Sequence, residues 1–416
     1  MSDRRFPPPP AWAASLPTIG VTGTNGKTTT TTFVAAALRA WTGSPVVRAT
    51  TVGVWIDDDR LDLPPTYDGF LAAMRACVDR GGRAAAIELT SEALALGFAS
   101  AWPVRVGVFT NLSHDHLDSH VTPEHYLASK AQLFVHLPAG GAAILNGRDP
   151  ASSLLAEVLP PGVRALAFGA ADRGDPALPI DLDVTDVEPT WTGTRFSLHA
   201  ASASPAVAAS TAASAWLGDV PASMKVRAIG EVYAENAAAA LLAAVAFGVP
   251  AKVASEAIEA CPAPPGRFEV VAESPYFVAD FAHSPDALER AVRAARRLCK
   301  GTLTVVLGAG GDRDRAKRAP MGQTARKADR VIVTNDNPRT EDPFSIARAI
   351  REGTGDHPDA RTILDRATAI TEAARGAGPE DVILVTGRGH ETEQIFADGP
   401  RPFSDVAFLR ELAAHR

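Results

Sequence analysis

Six residues, Gly23-Thr24-Asn25-Gly26-Lys27-Thr28, constrain this chain more than any others. They follow a short apolar run of strand length, Thr18 to Thr22, and open a Thr- and Ala-rich segment that reads as a helix from about Lys27 to Ala40. Strand, glycine turn and helix together make a phosphate-binding arrangement. The glycines allow unusual turns and close approach to phosphate oxygens, the helix N-terminus presents N–H groups, and a lysine adds positive charge. Gly23 and Gly26 would shape the turn, Lys27 would supply the charge, and Thr28 could ligate magnesium. A strict GxxxxGK(S/T) loop would have glycine at position 21, where this chain has Val21.

The 416 residues are too many for one hydrophobic core and suggest more than one domain. A formal charge of −7 leaves no excess of Lys and Arg to neutralise a nucleic-acid backbone, so nucleic acid is not an expected partner. The three cysteines, Cys77, Cys261 and Cys299, have no CxxC spacing and suggest neither a zinc site nor a disulfide framework. No apolar run reaches the roughly 20 residues that span a bilayer. These features give the expectation of a soluble, cytoplasmic protein without a membrane partner. The four prolines Pro7 to Pro10 read as a stiff spacer in an unanchored tail covering residues 1–16.

After the loop, apolar runs of strand length (Ala84–Leu89, Val104–Thr110, Ala142–Leu145) alternate with helical stretches, which implies parallel strands and crossover helices. Residues 200–227 are rich in Ala and Ser and read as an irregular connection. Ala234–Phe247 reads as a helix. The prolines of Cys261-Pro262-Ala263-Pro264-Pro265-Gly266 exclude regular structure and mark a domain boundary. Beyond it the alternation resumes with Phe277–Phe281, Leu303–Leu307, Val331–Thr334 and Val382–Val385 as strands and Pro285–Cys299 as a helix.

Further segments, in the same order as their counterparts, make the chain resemble the Mur ligases. Besides the GTNGKTT loop through Thr29, these are Asn111-Leu112-Ser113-His114-Asp115-His116-Leu117-Asp118, Tyr126-Leu127-Ala128-Ser129-Lys130, and Gly230-Glu231-Val232-Tyr233-Ala234-Glu235-Asn236. Pro265-Gly266-Arg267-Phe268-Glu269 and Asp280-Phe281-Ala282-His283-Ser284-Pro285 follow. The resemblance spans about residues 18–411. It implies an α/β chain with a P-loop central ATPase domain on a parallel-rich sheet (17–262), then a Rossmann-like α/β C-terminal domain (263–416) that binds an amino acid.

The resemblance also implies an ATP- and Mg2+-dependent amide ligase. ATP phosphorylates a substrate carboxylate, and an amine then attacks the acyl phosphate. Gly23, Thr24, Asn25, Gly26, Lys27, Thr28, Thr29 and Asn111 would bind the phosphates, Asn236 the adenine, and Asp280 and His283 would lie near the ribose. Arg267 would help position the nucleotide. Thr28 and Glu88 would hold one magnesium. His116 would hold a second, with Lys130 matching the family's carbamylated lysine, since an unmodified ammonium would repel the ion.

Asp336-Asn337-Pro338-Arg339 and Gly387-Arg388-Gly389-His390-Glu391 resemble the motifs of the branch that adds meso-diaminopimelate, as does Gly308-Ala309-Gly310-Gly311-Asp312-Arg313-Asp314. Asp336, Asn337, Arg339, Gly387, His390 and Glu391 would therefore surround the amino acid. Arg339 would clamp a carboxylate, and Glu391 would hold a distal ammonium.

Other features depart from the branch. The phosphate loop begins near residue 23, without the preceding domain that binds the uridine end of the family's acceptor. Its Thr-Thr segment is not recognisable in Leu63-Pro64-Pro65-Thr66-Tyr67, and Thr90-Ser91-Glu92 replaces Ser-Ser-His. Tyr233 replaces an asparagine and Arg388 a lysine. These departures give the expectation of an acceptor carboxylate other than the usual UDP-linked muramoyl dipeptide, or one held by a partner protein. The alternatives are the usual reaction with a separate UDP-binding subunit, and an inactive ATP-binding homologue.

Overall fold

The computed structural model describes residues 6–113, 122–201 and 219–415. Packing divides the chain into two units. One comprises Met1–Glu188, Thr194–Arg227 and Val232–Pro262, and the other Pro189–Gly193, Ala228–Glu231 and Ala263–Arg416.

The first unit is built on strands β1 (Thr18–Thr22), β2 (Val46–Thr50), β3 (Gly53–Ile56), β4 (Asp59–Leu61), β5 (Ala84–Glu88), β6 (Val106–Phe109), β7 (Ala142–Asn146), β8 (Arg164–Ala170), β9 (Leu182–Thr190), β10 (Gly193–Ala200) and β11 (Ser223–Val226). Their order in the sheet is β11-β10-β9-β8-β7-β6-β1-β5-β2-β3-β4. The run from β2 through β5, β1, β6, β7 and β8 to β9 is parallel. The pairs β2–β3, β3–β4 and β10–β11 are antiparallel. The central strands β1, β6 and β7 are buried along their whole length, as expected where helices cover both faces of a parallel sheet.

The helix Lys27–Thr42 contains five consecutive threonines, which are mediocre helix formers, and its ends are set by glycines. Gly26 at φ 86° starts it, and Gly43 at φ 58° ends it by donating its N–H to the Arg39 carbonyl at 3.0 Å. The Ala- and Leu-rich helix Glu231–Phe247 is buried almost all round, as its lack of a polar face requires.

Two stretches differ from the sequence expectation. Phe6 packs its ring 4.8 Å from Tyr67 and 5.8 Å from Phe98, and Leu16 is fully buried. Apolar anchors on either side of the prolines thus hold residues 6–16 against the core, rather than leaving them as a free tail. Within 200–227, read as irregular, Ser223–Val226 forms β11, which pairs with β10 through alternating burial too short to register in the sequence.

The second unit carries β12 (Glu269–Ala272), β13 (Tyr276–Asp280), β14 (Leu303–Leu307), β15 (Arg330–Val333), β16 (Ala360–Thr362) and β17 (Val382–Thr386) in the order β12-β13-β17-β14-β15-β16, plus the hairpin β18 (Glu393–Phe396) and β19 (Gly399–Pro402). Every pairing in the larger sheet is parallel except the edge pair β12–β13. Alternate residues feed two cores. Val278, Val305, Val331 and Leu384 pack with the helices Pro285–Leu298, Arg318–Ala325 and Pro343–Thr354. Phe277, Val306, Ile332 and Ile383 pack with Arg366–Ala374 and Asp405–Ala414. A strand with both faces apolar can serve two cores, which is why these runs contain no polar alternation. No helix among the described residues is long and apolar enough to cross a membrane.

Candidate functional site

In the first unit, the glycine loop leaves the carboxyl end of β1, between the ends of β5 and β6. In open parallel sheets this is where ligands bind. Gly23 has φ 148°, and a Cβ there would meet the Thr110 hydroxyl at 1.9 Å. The Lys27 ammonium folds back onto the loop, donating to the carbonyls of Thr24 at 2.8 Å and Gly23 at 3.1 Å. Lys130, only 1% exposed, donates to the same Gly23 carbonyl at 2.8 Å and lies 4.2 Å from the centre of the Tyr126 ring. Two cationic side chains therefore converge on one turn of the loop, and their positive charge suits a polyphosphate.

Asn111 clamps the loop from β6. Its Oδ1 accepts from the Asn25 N–H at 2.9 Å and its Nδ2 donates to the Asn25 carbonyl at 3.1 Å. The Thr110 hydroxyl donates to that carbonyl at 2.6 Å, and Tyr126 donates from its phenol to the Thr24 hydroxyl at 3.2 Å. Asp149 in turn accepts from the Leu112 N–H at 2.6 Å, and burial raises its pKa. Asn236 lies against the loop from the helix Glu231–Phe247. A Cβ on Gly26 would sit 2.4 Å from the Asn236 Oδ1.

Gly26→Ala is therefore expected to strain the loop, since φ there is 86°, and to displace Asn236. At about 1–2 kcal/mol for the left-handed conformation alone, binding of a non-hydrolysable ATP analogue should weaken at least about tenfold by calorimetry. Unchanged affinity would show that the loop does not bind nucleotide.

Thr28, at the start of the helix Lys27–Thr42, donates its hydroxyl to Glu88 Oε2 at 2.8 Å from the end of β5. Thr51, after β2, approaches the other carboxylate oxygen with its hydroxyl at 3.3 Å. These hard oxygen donors suit Mg2+, which takes few protein ligands and completes its shell with phosphate and water. Among the described residues no group of three or more His, Cys, Asp or Glu could hold a metal. His116 lies outside the described residues. Lys130 as an ammonium fits phosphate, and fits a metal only after carbamylation.

In the second unit, both oxygens of Asp280 are taken by backbone, from Phe268 N–H at 2.6 Å and Ala282 N–H at 2.7 Å. Burial raises its pKa, opposed by the nearby Arg267. Arg267 stacks its guanidinium 4.4 Å from the Phe281 ring centre, and His283 Nδ1 is 2.8 Å from the Phe281 carbonyl oxygen.

The loops Asp336–Arg339 and Gly387–Glu391, far apart in sequence, meet through side chains. Asn337 Nδ2 donates to Glu391 Oε2 at 2.9 Å, and Arg388 donates to Asn337 Oδ1 at 3.0 Å. Arg339, held at φ 52°, donates to the Gly311 carbonyl at 2.8 Å. Asp336 is 6% exposed, and its Oδ2 has no hydrogen-bond partner among the described residues. Gly387, at φ 108°, leaves this oxygen room, because a Cβ there would meet it at 2.3 Å. Unpaired carboxylate oxygen and guanidinium in one cluster suit a zwitterion. His390 follows in the same loop, its backbone N–H closely abutting Gly266.

Burial raises the Glu391 pKa, as does the charge of Asp336, while the Asn337 hydrogen bond lowers it. A raised pKa means the fold favours the protonated carboxyl, so this group's contribution to stability is present below the unfolded pKa and lost as pH rises through the folded one. Glu391→Gln, a neutral isostere, should therefore raise the unfolding midpoint at pH 7 and leave it nearly unchanged near pH 4, as read by thermal melts. A lower midpoint at pH 7 would contradict this.

Sequence reasoning passed over several residues that the geometry brings in. Thr51 joins Glu88, and Thr110 and Tyr126 support the loop; a threonine at a strand end carries no signal of its own. Arg313 is another, inside a motif already singled out. A Cβ on Gly310 would lie 2.9 Å from Arg339 Nη1 and 3.6 Å from Arg313 Cγ, so glycine there leaves space for both arginines.

The Mur ligase middle domain profile matches residues 21–244, and the Mur ligase, glutamate ligase domain profile matches residues 266–389. A UDP-N-acetylmuramoyl-L-alanyl-D-glutamate--2,6-diaminopimelate ligase of Synechococcus elongatus is 35% identical over 97% of this chain and 78% of its own length. One of the same name from Streptomyces coelicolor is 36% identical over 94% of this chain and 75% of its own. A solved structure of a ligase of that name superimposes with a TM-score of 0.64 at 30% identity, covering 96% of this chain and 79% of its own. The folylpolyglutamate synthase of Mycobacterium tuberculosis shares the fold at a TM-score of 0.67 and 20% identity, covering 90% of this chain and 89% of its own. The phosphate loop and this agreement over almost the whole length define an ATP-dependent, ADP-forming carboxylate–amine ligase. The chain belongs to the Mur ligase family.

Proposed function

We propose that this enzyme joins an amino group of 2,6-diaminopimelate to the carboxylate of an acceptor bearing L-alanyl-D-glutamate. The observation that carries the reading is the second unit's mixed-charge cluster, where Arg339 and Arg313 flank Gly310 while Glu391 and the unpartnered Asp336 Oδ2 lie beside Asn337. A diamino dicarboxylic acid offers both charges to such a cluster, and the relatives above carry that amine in their names.

In the first step the loop N–H groups and Lys27 hold the β- and γ-phosphates, and Asn236 faces the adenine. An acceptor carboxylate oxygen attacks the γ-phosphorus in line, the bond to the bridging oxygen breaks, and ADP leaves. Magnesium, held by Thr28 and Glu88, with His116 and a carbamylated Lys130 at a second ion, supplies charge neutralisation when bound. In the second step the amine nitrogen attacks the acyl carbon, inorganic phosphate leaves, and the nitrogen gives up its proton. Arg339 holds a carboxylate of the amino acid and Glu391 its distal ammonium.

A second reading keeps this chemistry but changes the acceptor to one without the UDP-linked muramoyl group. It is favoured by Thr66, whose hydroxyl is committed to capping the helix Tyr67–Asp79 by accepting from the Gly69 N–H at 3.2 Å, and by acidic Glu92. The relatives' names favour the first reading. ADP release measured with meso-diaminopimelate or L-lysine, against UDP-N-acetylmuramoyl-L-alanyl-D-glutamate or the free L-alanyl-D-glutamate dipeptide, decides between them. The first reading expects release with diaminopimelate and the UDP-linked acceptor, and the second expects release with the free dipeptide instead. No release with diaminopimelate and either acceptor would overturn both.

A further inference from the structure

Arg388 has no exposed surface, and its guanidinium ties together three segments. It donates to Asn337 Oδ1 at 3.0 Å, to the Glu393 carbonyl at 2.8 Å and to the Phe403 carbonyl at 2.8 Å, and Glu391 Oε2 lies 3.7 Å away. Asn337 Oδ1 also accepts from the Ile395 N–H at 2.8 Å. Two donors aimed at one side of the amide leave it a single orientation, because the flipped form would set an NH2 group against both of them. With Oδ1 so fixed, Nδ2 must face Glu391, and it does, at 2.9 Å.

We infer that Arg388 is a positioning residue for the amine substrate: it locks the flip of Asn337 and so fixes the Glu391 carboxylate where the distal ammonium of a diamino acid is read. The inference rests on the amine cluster of the proposed function. Arg388 does not itself contact the amino acid, since all its surface is covered by the protein. A lysine would keep one cationic donor for Asn337 Oδ1 while giving up the fork that also reaches Glu393 and Phe403, whereas an apolar side chain would give up every donor.

The two cations facing Glu391 act in the same sense as this positioning. Arg388 and Arg366 favour its ionised form, Asp336 opposes it, and Asp405 pairs with Arg366. His390 adjoins it in the chain and Glu393 follows two residues later. Weakening the Arg388 contact leaves Glu391 easier to protonate, and a protonated carboxyl holds an ammonium poorly.

The test compares Arg388→Met with the wild-type full chain, using meso-diaminopimelate and 2-aminopimelate, which lacks the second amine. Expected are a rise of about tenfold or more in KM for diaminopimelate, kcat and the KM for ATP within about twofold, and a matching fall in the preference for diaminopimelate over 2-aminopimelate. The acid limb of kcat/KM for diaminopimelate should also move to higher pH. Arg388→Gln, shorter and uncharged, also withdraws the cationic donor from Asn337 and should give the same split, so a folding failure of one variant does not decide the matter. Arg388→Lys, which keeps a cationic donor for Asn337 Oδ1, should discriminate much as wild type does. Equal discrimination and an unchanged pH profile in folded Arg388→Met or Arg388→Gln, with wild type discriminating normally, overturn the inference. A wild type indifferent to the second amine overturns the cluster assignment itself, and the inference with it.

Discussion

Lys27→Ala is expected to leave the first unit folded and to lower ATP-dependent turnover by on the order of a thousandfold, the loss typical when one preorganised donor to developing charge is removed. The side chain is partly buried, and its ammonium satisfies the Gly23 and Thr24 carbonyls at 3.1 Å and 2.8 Å. The Gly23 carbonyl keeps its bond from Lys130 at 2.8 Å, so the fold loses little. The reaction loses more. Phosphoryl transfer depends almost wholly on positioning and charge, and the other cation at this turn, Lys130, is 1% exposed and held on the Gly23 carbonyl, where it cannot take over. ADP release by a coupled assay is the measurement, with a thermal melt as control. Turnover within tenfold of wild type, in a protein with an unchanged melt, would remove Lys27 from the chemistry.

The loop and its supports illustrate how far residues alone disclose a site. Gly23, Gly26, Lys27 and Thr28 are legible because each type is required by the geometry of a phosphate turn. Asn111 is legible as part of a motif, but its bonding of both sides of the Asn25 peptide is not. Thr51 is illegible, since its approach to Glu88 depends on β2 lying beside β5, a consequence of sheet order. In the second unit the loops containing Asn337 and Glu391 are each visible, while the bond that joins them is a product of β15 and β17 both flanking β14.

The fold divides along the same line. Leu303–Leu307 and Val382–Val385 read as strands because they are buried on two faces and carry between them a single polar residue, Thr304. Strand β3 is half-buried along most of its length, β4 has no buried position and β9 mixes exposed and buried positions irregularly, so none gives a comparable run. The five threonines of Lys27–Thr42 argue against a helix by propensity, and the glycines at its ends outweigh them. Pro10, at φ −64° and ψ 151°, is extended as polyproline chemistry requires, but composition could not show that Phe6 would find Tyr67 and Phe98.

Arg366→Met should destabilise the second unit by about 3–5 kcal/mol, the cost of leaving one member of a buried ion pair without its partner. Arg366 is 2% exposed and Asp405 fully buried, and the two are joined by paired hydrogen bonds of 2.7 Å each. Burial works against the charged guanidinium, yet the charge of Asp405 and the bonds to it keep the Arg366 pKa raised. Arg366 also donates to the Asn335 carbonyl at 3.0 Å and the Thr386 carbonyl at 2.9 Å, the residues that immediately precede Asp336 and Gly387. One guanidinium therefore supports both loops of the proposed amine cluster, and on that proposal the variant should also bind the amino acid more weakly at temperatures where it remains folded. The double variant Arg366→Met/Asp405→Leu distinguishes a buried charge left alone from a general loss of packing. With both charges gone the desolvation penalty vanishes, so the double should recover stability relative to Arg366→Met. Urea unfolding of the wild type, the two singles and the double completes the cycle. A double variant as unstable as the sum of its singles would mean that the pair contributes by shape alone.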